Sequence, residues 1–495
     1  MKTKRYCGAT LAVSSLLFAS CSPGQSGAPL SESSTRATIK TLHPGPQLFV
    51  DDYLIESSHN ITRALNQPQR HLPGPIVDGG LGRKDFNVGF DVSVLKDETT
   101  GKYRMWYSVP APLPDLSQPQ PVESAQTHVA YMESKDGVNW ERPFRQLADP
   151  VGRAYQAFAV SVFDRGKNFP DPQARYVMGY GAGSDLALAT SPDGFSWTYV
   201  RDVPQLQLKY HYDAFHLEYD AIRRQWIAEA GVNVTGDELI NELKLPSAFS
   251  WNGKRRVYVQ STSPDLVNWS PARLLLAPDA RDPGETQFEG LYGVIARGDL
   301  LLGLVKVLRP DADPRGYQYG VEKTQLAWSR DGINWTRERE FFIDIDPDPK
   351  AWDHAFAAGS YQLIVGDELY IYYIGIKEGH KINRYTDRGI GLVKLPLDRY
   401  VARQAGNVPG TLRTPLVTLT AAKSLSLNVD ATRGDVKVRI LDANNRLLAD
   451  CKPLLNTNSV RTRLASSKLL SKFANMPVKL EFTLRNAKLY GLNLE

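Results

Sequence analysis

Ser134–Trp140 reads SKDGVNW, and the phrase returns as SPDGFSW at Ser191–Trp197, SPDLVNW at Ser263–Trp269 and SRDGINW at Ser329–Trp335. The copies of this turn motif begin 57, 72 and 66 residues apart. A turn signal and an aromatic residue that recur at such a period indicate radially arranged β-sheets. Ser and Asp can bond the backbone of a tight turn, Gly supplies a positive φ, and Trp begins the next strand and packs between sheets. The third copy has Leu266 in place of Gly, so we expect its turn to differ.

Before and between the turn motifs, apolar and polar residues alternate at a period of two, which is typical of β-strands. Clear examples are Tyr103–Tyr107, Arg175–Gly179, Gln225–Glu229, Leu300–Leu304 and Glu368–Tyr373. Units of this kind begin near Asn87, Gln156, Asp213, Thr286 and Trp352. We therefore predict an all-β chain with a five-bladed β-propeller over residues 45–400.

The last of these units has no turn motif of its own. We expect the segment Gln47–Ile55 (QLFVDDYLI) to supply its missing strand, which would close the ring and remove the exposed strand edges. Past Pro396 the pattern stays strand-like but lacks the motif, as in Val436–Ile440 and Val478–Phe482. Residues 401–495 are accordingly predicted to form a β-sandwich packed on the propeller, with the boundary near residues 400–412.

The N-terminal residues have the pattern of an export signal. Basic residues precede the apolar run Ala9–Ala19, which is too short to span a bilayer. The run ends in Phe18-Ala-Ser-Cys21, which resembles a bacterial lipobox, although Phe18 is atypical there and a plain secretory signal stays open. We predict a signal peptide over residues 1–20, lipidation of Cys21 and a flexible tether over 21–44. The protein would then be exported and anchored as a lipoprotein at the periplasmic or cell-surface face.

Charge and cysteine content narrow the choice of partners. Removal of the signal takes away Lys2, Lys4 and Arg5 and no acid, so the formal charge falls from +5 to +2. A nearly neutral chain argues against nucleic acid or an anionic bilayer surface as the main partner. Cys451 would be the remaining thiol, which rules out an intrachain disulfide or a cysteine metal site. The sequence has no metal-ligand motif, so we assign no metal-binding residue, although a metal at the propeller axis stays open. We expect no cofactor, and a monomer or small homo-oligomer.

Acidic residues stand at four of the predicted inner-strand starts: Asp91, Asp213, Glu289 and Asp353. The inner strands of a propeller surround one axis, so these side chains would meet in one funnel. Converging carboxylates repel one another, which raises at least one pKa and separates an acid from a base. Glycoside hydrolysis needs such a pair. An Asp at a strand start also often caps a turn, and that reading stays open for each of them.

Aromatic residues near these acids suit stacking on sugar rings. Candidates for substrate binding are Trp352, Tyr292, Trp251 and Phe215, and His354 could bind a hydroxyl group.

With these features the chain resembles the five-bladed propeller glycoside hydrolases, which include the arabinanase and β-xylosidase family, the invertase and levanase family and the mannoside phosphorylases. Gln47–Ile55, Lys102–Tyr107 and Val365–Tyr373 are also similar to an uncharacterised group of secreted bacterial glycosidase-like proteins. The resemblance implies an Asp as base or nucleophile, a second Asp that tunes a pKa, and a Glu as acid. Glu289, followed by Gly290, matches that acid. The invertase signatures WMNDP and RDP are absent, which argues against invertase activity.

Three functions follow from these observations. The leading one is an exported glycoside hydrolase that cleaves a poly- or oligosaccharide by carboxylate acid/base catalysis. The second is a glycoside phosphorylase, whose phosphate would need basic residues such as Arg309, Arg315, Lys306 or Arg388. The third is a glycan-binding lipoprotein without catalysis.

Overall fold

The computed structural model describes residues 39–495 apart from 79–87, 90, 112–125, 144–146, 148, 154–159, 184, 207–211, 244–252, 383–387, 420–423, 465–470 and 474–475. Residues 39–495 belong to one compact unit. The predicted all-β class is confirmed, because strands dominate the described residues, which include one α-helix, α1 (Gly236–Leu243). Short 3-10 helices occur at Pro172–Ala174, Pro204–Leu206, Tyr317–Tyr319 and Ser471–Phe473.

Three antiparallel sheets of four strands each follow one another along the chain. Before them lie β1 (Lys40–Leu42), β2 (Gly45–Leu48), β3 (Ser57–His59), β4 (Thr62–Leu65), β5 (Gln69–Arg70) and β6 (Val77–Asp78). Sheet I contains β7 (Val92–Lys96), β8 (Tyr103–Ala111), β9 (Gln126–Ser134) and β10 (Trp140–Glu141). Sheet II contains β11 (Val160–Asp164), β12 (Tyr176–Ala182), β13 (Asp185–Ser191) and β14 (Thr198–Asp202). Sheet III contains β15 (Tyr212–Asp220), β16 (Gln225–Val234), β17 (Arg255–Ser263) and β18 (Arg273–Leu276).

Two further groups of the same kind are joined by a single parallel bridge, Glu322 to Phe356. Sheet IV contains β19 (Gln287–Arg297), β20 (Leu300–Arg309), β21 (Val321–Ser329) and β22 (Thr336–Arg337). Sheet V contains β23 (Phe356–Val365), β24 (Glu368–Ile376) and β25 (Arg388–Pro396), with β5 and β6 paired on β25. The first strands contact one another in the cyclic order β7, β11, β15, β19, β23 and back to β7. The five groups therefore surround one axis, which is the strand grouping of a β-propeller.

The turn motif folds as its residue types predict. In the first copy Ser134 Oγ accepts from the Gly137 N–H at 2.8 Å, and Asp136 Oδ1 accepts from the N–H groups of Val138 and Asn139, both at 2.8 Å. The backbone N–H of Asn139 is the main reason why the pKa of Asp136 lies below its usual range. These bonds are local, which is why a short phrase suffices to form the turn.

The third copy corrects one expectation. Leu266 takes the left-handed conformation of the glycines, with φ 66°, and its N–H donates to Ser263 Oγ at 2.9 Å. The turn is therefore the same, although a leucine there costs about 1–2 kcal/mol. Burial offsets that cost, because the side chain belongs to a buried apolar cluster that includes Val177 and Leu186 of sheet II.

The motif also joins neighbouring sheets. The carbonyl of Gly194 accepts from Trp106 Nε1 of sheet I at 2.8 Å, and the carbonyl of Ile333 accepts from Gln260 of sheet III at 3.0 Å. The carbonyl of Gly137 accepts from Tyr372 Oη of sheet V at 2.8 Å. In these copies the motif binds the sheet before it, and the first copy binds the last sheet, which closes the ring.

The prediction that Gln47–Ile55 closes the ring is wrong. β2 pairs with the C-terminal strand β33 (Ala487–Leu494), and β5 and β6 complete sheet V instead. The alternating side chains serve two cores: Leu48 and Val50 join a cluster with residues of sheets IV and V, whereas Phe49 packs on the C-terminal core, 5.8 Å from the ring of Phe482. A strand buried on both faces has the same pattern as a closing strand.

The C-terminal region is one hydrogen-bonded sheet of ten strands. Besides β33 it contains β26 (Val401–Ala405), β27 (Gly410–Arg413), β29 (Leu425–Leu441), β30 (Leu447–Asp450), β31 (Leu454–Arg463) and β32 (Lys479–Arg485), with β2, β3 and β4. Residues 45–65 therefore pair here, although they were assigned to the propeller. β1 pairs with β28 (Val417–Leu419), so residues 40–42 of the predicted tether are a strand. The rest of that tether up to residue 38, the signal peptide and Cys21 lie outside the described residues.

Candidate active site

Two of the predicted acids meet buried cations near the starts of the inner strands. Asp91 precedes β7, and one of its carboxylate oxygens accepts from Lys306 Nζ of β20 at 2.6 Å. Both side chains are almost fully buried. The same Nζ lies 3.7 Å from the ring centroid of Tyr292. A buried charge is tolerated only when it is paired, so the ion pair neutralises both residues.

Glu289 lies in β19 and forms an ion pair with Arg256 of β17. His380 is nearly buried, and its Nε2 is 3.8 Å from Glu289 Oε1. The backbone carbonyl of Glu289 accepts from Tyr258 Oη at 2.8 Å. Arg256 of sheet III and His380 of the segment between β24 and β25 thus hold this carboxylate, whose side chain keeps 14% of its exposure.

A third acid, Glu322 of β21, completes the group, and the sequence analysis missed it. Its side chain is buried, and its Oε2 has no hydrogen-bond partner among the described residues. Burial, and next the charge of Glu289, raise its pKa well above the usual value, against the lowering effect of Lys306. The alternation of residues along β21 could have predicted its burial, because Glu322, Thr324 and Leu326 share the buried face of that strand.

We call these five residues the carboxylate cluster: Asp91, Arg256, Glu289, Lys306 and Glu322. It holds three acids and two cations, so one proton on an acid balances its charge. Glu322 is the acid whose environment favours that proton. The arrangement therefore separates one neutral carboxylic acid from two ion-paired carboxylates, as acid/base catalysis requires.

The structure places Asp353 elsewhere. Its Oδ2 accepts from Arg70 Nε and from Tyr373 Oη, both at 2.9 Å, and it is 1% exposed. Arg70 lies in β5, the short strand at the edge of sheet V. Asp353 thus ties the closing strand to its sheet. Asp213 belongs to β15, opposite Gly231, and its side chain lies outside the described part of the chain.

The predicted sugar-stacking residues are mostly core residues. Phe215 is 1% exposed inside the cluster between sheets II and III, and Tyr292 is equally buried beneath Lys306. Neither offers a free face to a sugar, which corrects the prediction. Trp352 packs against Tyr373 with ring centroids 5.5 Å apart, and Trp251 lies outside the described residues.

His354 lies on a loop, and an unpredicted tyrosine lies in a short 3-10 helix. His354 Nδ1 is 2.8 Å from the Asp346 carbonyl. Tyr317 is 44% exposed, and its ring centroid lies 5.3 Å from that of His380. Because His380 contacts Glu289, Tyr317 is the exposed aromatic ring that the structure brings near the carboxylate cluster. The loop between β20 and β21 positions it, which no local pattern reveals.

A second buried polar group contacts Tyr292. The ring of His216 packs against that of Tyr292, with centroids 4.1 Å apart and planes tilted by 46°. Its Nδ1 lies 3.0 Å from Ser161 Oγ, and its Nε2 lies 2.9 Å from Glu218. Burial, and next the charge of Glu218, raise the pKa of the enclosed Glu229 well above its usual value. Serine, histidine and glutamate in series resemble a hydrolytic triad, and all three are buried.

Among the described residues, no group of three or more His, Cys, Asp or Glu side chains has an arrangement that could hold a metal ion. The same part of the chain includes no helix that combines the length and the apolar character needed to cross a membrane.

No protein-family model and no curated protein matches the chain, but solved structures do. A glycoside hydrolase is 17% identical, with a TM-score of 0.47, over 67% of this chain and 92% of its own. A β-1,2-mannobiose phosphorylase from Listeria innocua is 15% identical, with a TM-score of 0.45, over 67% and 97%. The catalytic domain of an α-L-arabinofuranosidase from Coprinopsis cinerea is 12% identical, with a TM-score of 0.43, over 66% and 97%. The architecture of this chain follows from its own strand pairing.

Proposed function

We propose that the protein is a glycoside hydrolase that cleaves a poly- or oligosaccharide at the carboxylate cluster. The observation that carries the proposal is the contrast between Glu322, a buried acid with a raised pKa, and the ion-paired Glu289 beside it. Hydrolysis of a glycosidic bond needs one carboxylic acid to protonate the leaving oxygen and one carboxylate to activate water or to attack the sugar. Neighbouring carboxyl groups with different environments can divide these roles.

The sequence predicted Glu289 as the general acid, and the geometry favours a different division of roles. Glu289 is ion-paired with Arg256, whereas the pKa of the buried Glu322 is raised, so we assign the proton to Glu322. Glu289 and Asp91 then remain for the base or nucleophile and for the neighbouring charge. Tyr317 is a candidate platform for a sugar ring, and His380 can orient Glu289.

Leaving-group dependence tests the assignment. Glu322→Gln should lower the rate on an unactivated oligosaccharide by roughly 10²–10⁴ for loss of acid catalysis. The same variant should retain most activity on a nitrophenyl glycoside, whose leaving group needs no proton. Glu289→Gln should lower both rates. Full activity of Glu322→Gln on the unactivated substrate, together with a selective defect of Glu289→Gln, would restore the first assignment.

Phosphorolysis is the second candidate, and three of the four proposed cations argue against it. The fourth, Arg388, is buried and donates to the Val88 carbonyl. Lys306 is paired with Asp91, Arg309 with Asp311 and Arg315 with Asp313. Phosphate would have to compete with these carboxylates. Sugar release that is unchanged by added phosphate, with no sugar phosphate in the products, is the expected result. A glycan-binding protein without catalysis would release no sugar in either assay.

We further propose that the protein is exported and anchored through Cys21, which rests on the N-terminal sequence. Cys21→Ala should move the protein from the membrane fraction to the soluble fraction of the expressing cell. An unchanged distribution would favour a plain secretory signal.

A further inference from the structure

A cavity of about 920 Å³ opens at the ends of the inner strands. Its wall includes Lys96 at the end of β7, Asp164 at the end of β11 and Leu363 near the end of β23. The carboxylate cluster lies at the other ends of such strands, since Asp91 precedes β7 and Glu289 is near the start of β19. The five residues of β7 span roughly 16 Å. The cavity is therefore at the opposite mouth of the ring.

Positive charge exceeds negative charge in this cavity. Its lining includes Lys96, Arg165, Lys167 and Arg175 against Glu98 and Asp164. Arg175 and Asp164 neutralise each other through an ion pair at 2.6 Å. Within the described part of the chain, Lys96 and Lys167 form no ion pair, and both are exposed. In the lining, three cations therefore remain against Glu98, and Asp171 lies near Arg165 outside the lining.

Arg165 is the most constrained of these cations. Its guanidinium lies 3.9 Å from the ring centroid of Phe169 and donates to the Ala174 carbonyl. Its Nε is buried and has no hydrogen-bond partner among the described residues. Burial lowers the pKa of Arg165, and the charge of Asp171 only partly compensates. A buried donor without an acceptor is costly, and the rest of the part-exposed guanidinium lines the cavity.

Apolar surface completes the cavity, with Leu95, Phe169 and Leu363 in its wall. A sugar ring has an apolar face that packs on such side chains, and a carboxylate on that ring would reach the cations. Bare inorganic anions would use only the charged half of the wall.

We propose that this cavity binds a carboxylate-bearing sugar, such as a uronic acid unit, at a site separate from the carboxylate cluster. The anion is inferred from the cations, and its identity as a saccharide rests on the proposed function. Such a site would hold an acidic polysaccharide on the opposite mouth of the ring from its cleavage.

Calorimetric titration of the full chain with trigalacturonate tests the proposal, with a neutral trisaccharide and inorganic phosphate as comparison ligands. The double variant Lys96→Ala/Lys167→Ala should weaken trigalacturonate binding roughly tenfold, because charge-assisted bonds are lost. Phe169→Ala should weaken trigalacturonate binding but not phosphate binding. Lys452→Ala, an exposed lysine of the C-terminal region, is the matched control and should bind as the parent does.

Absence of trigalacturonate binding, or equal binding of the neutral trisaccharide, would overturn the proposal. Binding of phosphate that matches trigalacturonate and resists Phe169→Ala would overturn its saccharide part. The double variant should keep its rate on a neutral glycoside. Uronate binding without glycosidase activity would refute only the proposed function, and activity without uronate binding would refute only this inference.

Discussion

Glu322 of sheet IV and Asp353, just before sheet V, are both buried carboxyl groups, yet their surroundings differ. Asp353 is held by Arg70 and Tyr373, so each donor has an acceptor. Glu322 leaves one oxygen without a hydrogen bond and has Glu289 as a negative neighbour. The first arrangement stabilises the fold, and the second favours the protonated form of the carboxylic acid. Burial alone therefore does not identify a catalytic acid. The hydrogen-bond and charge partners of the carboxyl group determine whether it can hold a proton.

The largest effect on stability is expected at Asp353. Asp353→Asn should lower the free energy of unfolding by about 2–4 kcal/mol, because it breaks a buried ion pair. The decrease is smaller than for a fully buried pair because Arg70 is partly exposed to solvent. Denaturant titration measures it, with Tyr373→Phe as a control that removes one hydrogen bond, worth about 1 kcal/mol. The folded variant should keep its catalytic rate. Normal stability with lost activity would return Asp353 to the catalytic group, where the sequence placed it.

The ionisation of Glu322 should make the stability of the protein fall as pH rises. Because its folded pKa is raised, the stability it contributes is present below its unfolded pKa of about 4.3 and is lost as pH rises toward the folded value. Glu322→Gln removes that titration, so the variant should gain stability relative to the parent between pH 4.5 and 8, by about 1.4 kcal/mol per unit of raised pKa. Unfolding curves at both pH values measure the gain, and Glu98→Gln on the surface is the control. A loss of stability at pH 8 would contradict the raised pKa.

A smaller effect is expected in the turn motif, where the carboxylates are satisfied by backbone donors. Burial raises the pKa of Asp331, but hydrogen bonds from Asn334 and its neighbours outweigh burial and bring this pKa down to about 2. The stability contributed by Asp331 is thus present above pH 4 and lost as pH falls toward 2. Asp331→Ala should cost about 1 kcal/mol at pH 7 and less at pH 3, by thermal unfolding. An equal cost at both values would show that charge is not involved.

The sequence patterns predicted those parts of the structure that form through hydrogen bonds between residues close together in the chain. The turn motif forms within seven residues, and even Leu266 keeps its hydrogen bonds. The periodicity of the sheets was readable for the same reason, since successive side chains of a strand face opposite sides. Asp91 and Glu289 were found because equivalent positions in repeated units meet near one axis.

What the sequence determined by itself was therefore the repeat, the all-β class and two acids of the carboxylate cluster. Only the tertiary structure decided that Glu322 joins them, that Asp353 does not, and that Gln47–Leu48 pairs with the C-terminal sheet. Each of these depends on partners far away in the chain: Glu322 on Glu289, Asp353 on Arg70, and β2 on β33. The alternation of apolar and polar residues predicts that a side chain is buried. Strand pairing and ionisation, however, depend on which groups from distant parts of the chain lie next to that side chain.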